Sequence, residues 1–89
     1  MFKVESTAPA PFEFEWRGAE HSVPQLAALP MDDLMAFSEA AERGETAAVR
    51  WMYDLFMRET DGAVADMPAS AFGQLAKAWQ AARAVEAGK

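Results

Sequence analysis

Phe12-Glu13-Phe14-Glu15-Trp16 is the segment that most restricts what this chain can become. Alternation with a period of two sends three aromatic rings to one face of a strand and two glutamates to the other. Arg17-Gly18-Ala19-Glu20 can turn, and His21-Ser22-Val23 can return as a second strand before Pro24. An isolated two-stranded hairpin is marginal in water. Whatever follows must therefore cover the aromatic face of a hairpin over about residues 12–23.

The covering material reads as three amphipathic helices. Pro30 suits a first helical turn, and Asp32-Asp33 sit where the positive end of the helix dipole favours acids, so a helix is expected over about 31–43, ending at Gly44. Its inner stripe is Leu34, Phe37 and Ala41. A second helix is expected over 45–59, with Val49, Met52, Tyr53 and Phe56 innermost and Arg50, Asp54 and Arg58 as a polar ridge. Asp61-Gly62 marks a turn, and Asp66-Met67-Pro68 reads as a helix start with Asp66 as N-cap. The third helix, over about 67–86, presents Phe72, Leu75, Trp79 and Ala82. Residues 1–11, with Pro9 and Pro11, read as a flexible or extended lead-in, residues 12–87 as one small domain and 88–89 as a tail. The fold class is mainly α with a small β element (α+β).

At 89 residues the domain buries only roughly 60–65% of its unfolded surface, so its stability margin is thin. There is no cysteine to staple it, and the 52% hydrophobic content must hold it by packing. Neither a signal-like apolar run nor the ~18 consecutive apolar residues of a membrane span is visible, and a soluble cytoplasmic protein is expected. The net charge of −6 argues against nucleic acid as a partner, since that affinity comes mainly from Lys and Arg neutralising phosphates. Residues 1–44 hold eight acids against Lys3, Arg17 and Arg43, so steering of a basic partner would come from the first half.

No constellation carries chemistry. His21 is the single histidine and has no cysteine or second histidine to complete a metal site or a nucleophile pair. Asp32-Asp33 and Glu13/Glu15 read as dipole partners and a solvated strand face. The stretch from Asp54 to Asp66 lacks the spacing of a calcium loop. Size and acidity resemble acyl carrier proteins, but Ala69-Ser70-Ala71 lacks their Asp-Ser-Leu attachment site. A helix-turn-helix around Gly44 would offer only Arg50 and Arg58 to DNA. No enzyme activity, cofactor or metal is expected.

What remains is apolar surface. Counting about 100° per residue, the apolar arc of the second helix from Trp51 and Leu55 round to Met57 is wider than one neighbour requires, so that helix is either central or partly a docking surface. Trp51 and Leu55, with Met57 behind them, are the expected protein-contact residues, for a client or for a second copy of the chain.

Three pieces of sequence carry a resemblance: Phe12-Glu13-Phe14-Glu15-Trp16-Arg17-Gly18, Leu29-Pro30-Met31, and Asp66-Met67-Pro68 leading to Phe72, Leu75 and Ala78-Trp79-Gln80. In these the chain resembles the small tail assembly chaperones of long-tailed bacteriophages (siphophages). The resemblance implies a non-enzymatic protein of the infected host's cytoplasm that binds the tape measure protein and helps recruit tail tube subunits. It also implies absence from the finished virion. The alternative is an acidic phage-encoded inhibitor that occupies a basic site on a host protein through Glu13, Glu15, Asp32, Asp33, Glu39 and Glu42.

Overall fold

A computed structural model describes residues 1–3 and 10–87, with the side chains of the last helix described through Ala82. The expected lead-in over 1–11 and tail at 88–89 fall mostly outside these residues. Strands β1 (Phe12–Trp16) and β2 (Ala19–Val23) form an antiparallel hairpin, followed by helices α1 (Met31–Arg43), α2 (Glu45–Glu59) and α3 (Ala69–Ala87). This is the expected small α+β fold.

The hairpin closes more tightly than a four-residue turn. Trp16 pairs with Ala19, leaving Arg17 and Gly18 as the connection at φ 54° and 77°. Positive φ at both central residues is the twist that a two-residue hairpin loop requires. Phe12, Phe14 and Trp16 face inward, half-buried, and Phe14 lies 5.7 Å from the ring of Phe56 on α2. The hairpin thus packs on its own chain. After Pro24 a single turn of 3₁₀ helix, Leu26–Ala28, buries Leu26, and Leu29 is buried directly behind it.

Gly44 alone joins α1 to α2, at φ 137° and ψ 170°. That conformation is almost restricted to glycine, and it folds α1 back onto one flank of α2. On α1 the fully covered residue is Ala40, with Leu34 and Phe37 half-buried and Ala41 exposed, so the expected stripe is rotated by one position. α1 is an outer layer, and a small side chain at its closest approach is what the packing needs.

α2 is the central element, touching α1, α3 and the hairpin. Met52 and Phe56 are buried as expected, but the third buried residue is Leu55, whereas Tyr53 is half-buried and Val49 is exposed. A network of rings joins the elements. It runs from Trp51 through Phe37 (5.3 Å) to Trp79 (6.0 Å), then Phe56 (5.9 Å), Phe72 (5.5 Å) and Tyr53 (5.5 Å). Each such pair contributes about 0.5–1.5 kcal/mol beyond the area it buries. Trp79 is wholly buried, and its indole N–H donates to the Pro24 carbonyl at 2.9 Å, tying α3 to the root of the hairpin.

Thr60 ends α2, its N–H and hydroxyl both donating to the Phe56 carbonyl (2.9 and 2.6 Å). Asp61-Gly62 turns as expected, and Val64 in the same loop is fully buried. α3 starts later than its sequence suggests, at Ala69, with the Pro68 carbonyl accepting from Phe72 at 2.9 Å. Asp66 does not cap it. One carboxylate oxygen accepts from the Trp16 indole at 3.2 Å and the other meets Arg17 Nε at 2.9 Å, clipping the hairpin tip to the loop before α3.

Candidate functional site

The surplus of apolar surface suggested by the sequence is smaller in the folded chain. Most large nonpolar groups are covered; Met1, Phe2, Met31, Met35 and Val49 are the exposed ones among the described residues.

Of the expected contact residues, Leu55 is a correction. It is 3% exposed and belongs to the core, because α1 lies over that flank of α2. Trp51 is half-buried with its ring against Phe37, and it shares with Leu55 a shallow depression of about 250 Å³ bordered by Asp33, Asp54 and Arg58. Arg58 reaches Asp33 (3.8 Å) and Glu59 (3.3 Å) there, so this depression has a polar rim. Within the ridge, only Arg50 pairs with Asp54, at 3.5 Å. Met57 is half-buried and packs against the core. At 100° per residue it lies about 120° from Trp51, on the other side of the polar ridge. The structure brings Trp51 and Leu55 together and leaves Met57 apart.

The open apolar site is on Met57's side. Val49 and Tyr53, one turn apart on α2, form a groove of about 580 Å³ with Met67 and Phe72, with Glu45 and Arg50 on its rim. The loop after α2 runs back along that helix, which is why Met67 and the first turn of α3 lie beside the first half of α2. Phe72 is buried and Tyr53 half-buried, so the floor is firm; Val49 is 37% exposed, so the wall is accessible. The ring of Tyr53 stands edge-on to Phe72 at 5.5 Å, which fixes the shape of the floor. Sequence reasoning placed Val49 and Tyr53 inside. The contrary signal was Val49's polar surroundings, Glu45, Thr46 and Arg50, at i−4, i−3 and i+1.

The groove offers an apolar wall and floor, Val49, Met67 and Phe72, with the polar groups of Glu45, Thr46, Arg50 and Tyr53 around them. Ser70 follows its first α3 residue, but no histidine lines it. Among the described residues no three His, Asp or Glu side chains gather in a way that could hold a metal ion, and no helix is long and apolar enough to cross a membrane. No protein-family model, curated protein or solved structure matches the chain.

Proposed function

We propose that this chain is a non-enzymatic protein-holding module, and specifically a tail assembly chaperone of a long-tailed bacteriophage. In this reading it binds the tape measure protein during tail assembly, helps recruit tail tube subunits, acts in the cytoplasm of the infected host and is absent from the finished particle. The observation that carries the protein-holding part is the groove of Val49, Tyr53, Met67 and Phe72, an accessible apolar trough on a small domain whose other large side chains are mostly covered. Solvent-exposed troughs of this kind suit a helix laid in by its apolar face. The phage assignment is supported by the resemblance in residues 12–18, 29–31 and 66–80.

Tagged chain recovered from infected cells tests it, with mass spectrometry of the co-purified proteins. The tape measure protein should dominate and should persist through a high-salt wash. A second reading is supported by the exposed carboxylates Glu13, Glu15, Asp32, Glu39 and Glu42, which suit an inhibitor docked on a basic host protein. That reading predicts a host factor lost in the same wash. Recovery of the chain from purified particles would instead make it a virion component.

A further inference from the structure

The sheet stops at two strands, so among the described residues the edge of β1 that faces away from β2 is unpaired. The register fixes which groups stand on that edge. Trp16 and Ala19 flank a two-residue loop, and the pair that closes such a loop exchanges both of its backbone hydrogen bonds. Alternation then gives the same bonds to Phe14 with His21 and to Phe12 with Val23, and turns the N–H and C=O of Glu13 and Glu15 outward. None of these outward groups has a backbone partner among the described residues. Two depressions lie along the edge, one of about 300 Å³ beside Phe14 and Trp16 and one of about 560 Å³ beside Phe12, and no β2 residue lines either. Glu15 borders the first and Glu13 the second. Their far wall is α3, mostly through alanines, whose small side chains leave room for another backbone to approach.

The charges on this edge select what can pair with it. Phe12, Phe14 and Trp16 point in toward the helices, whereas Glu13 and Glu15 point out, exposed and outside every ion pair among the described residues. Directly opposed residues of a ladder share a face, so residues placed across from Glu13 and Glu15 on a third strand would lie beside their carboxylates. Glu20, across from Glu15 on β2, already sets one like charge on that outer face. A second copy of this chain pairing by the same edge would add further glutamates to it and be repelled.

We propose that the open edge of β1 takes an extended segment of another protein as a third strand, with Lys or Arg across from Glu13 and Glu15 and an apolar residue between them turned inward beside Phe14. The segment runs antiparallel, the more stable of the two ladders. The N–H and C=O of both glutamates hold it, and the alternation of basic and apolar residues selects it. This site lies apart from the Val49 groove and does not depend on what that groove holds.

The test titrates the full chain with short blocked peptides that alternate valine with lysine or valine with glutamate, followed by NMR. The lysine peptide should bind about tenfold tighter at low ionic strength, with the gap closing as salt is added. Methylating the backbone nitrogens of its lysines removes the donors aimed at the Glu13 and Glu15 carbonyls and should abolish binding. The amides of Glu13 and Glu15 should exchange rapidly in the free chain and become protected in the complex. Glu13→Lys with Glu15→Lys should reverse the preference between the peptides, while Asp32→Lys with Glu39→Lys, an equal change of net charge on α1, should leave it in place. Equal binding of the two peptides, undiminished binding of the methylated one, or reversal by the α1 pair overturns the proposal. So does protection of both glutamate amides before any peptide is added, or its absence at saturation.

Discussion

Leu55 and half-buried Trp51, on one flank of α2, lie against α1, whereas on the other flank Val49 is exposed and Tyr53 half-buried beside the start of α3. Each flank carries one aromatic and one aliphatic side chain one turn apart. What differs is the length of the connection that follows. A single glycine folds α1 straight back onto α2, while the loop between α2 and α3 takes residues 60–68 to return and places only Met67 and the first turns of α3 near Val49. A wide apolar arc on a helix therefore predicts several neighbours. Which part stays open is decided by the connections.

The comparison can be broken at its strongest point. Leu55→Ala removes a core side chain that is only 3% exposed and should destabilise the domain by about 2–5 kcal/mol, most of its margin. Val49→Ser, on the open flank, should stay within about 0.5 kcal/mol of the parent. Urea unfolding followed by tryptophan fluorescence reads both. If the two losses are similar, the flanks are equivalent and the groove is an extension of the core.

Much of this was legible in the chain because it is set locally. The hairpin follows from the alternation of Phe12, Phe14 and Trp16, and the helix boundaries near Pro30, Gly44 and Asp61-Gly62 follow from residues with special backbone preferences. The errors share a cause. Ala40 replaces Ala41, and Leu55 replaces Val49, through rotations of a face that only the crossing of two helices can specify. Asp66 looked like an N-cap because that reading needs only its next few residues. Its partners Trp16 and Arg17 are about fifty positions away in sequence, and a side chain's long-range partner leaves no local mark. Val64 is buried within a turn-rich loop for the same reason. The groove, built from α2, the loop and α3 together, could be seen only once all three were placed.

A more moderate effect belongs to the hinge that makes the covered flank. Gly44 sits at φ 137° and ψ 170°, and a Cβ built there would meet nothing within 4 Å, so the cost of Gly44→Ala is one of backbone conformation and not of crowding. That cost is on the order of 1–3 kcal/mol. The loss should concentrate where α1 meets α2. Hydrogen exchange should rise in residues 31–43 and around Trp51 before it rises at Phe72 or Trp79. Uniform acceleration across the domain would show that α1 does not fold onto α2 as a separable layer.

The smallest effect tests the clip that closes the open side. Asp66 accepts the indole N–H of Trp16 and pairs with Arg17, whose guanidinium carbon lies 5.4 Å from the centre of the Trp16 ring. Both charged side chains are more than half exposed, at 66% and 55%, so water and salt screen the pair. Asp66→Asn keeps an acceptor for the indole but removes the charge facing Arg17, and should cost only about 0.2–1 kcal/mol. The loss should shrink further as salt is added, because the parent's own pair weakens under the same screening. A cost of several kcal/mol would mean that the hairpin depends on this clip and not on Phe14 and Val23 packing against α2. The open flank would then be held in shape by charge, where the covered flank is held by burial, and mild salt should loosen the groove while leaving the Trp51 side intact.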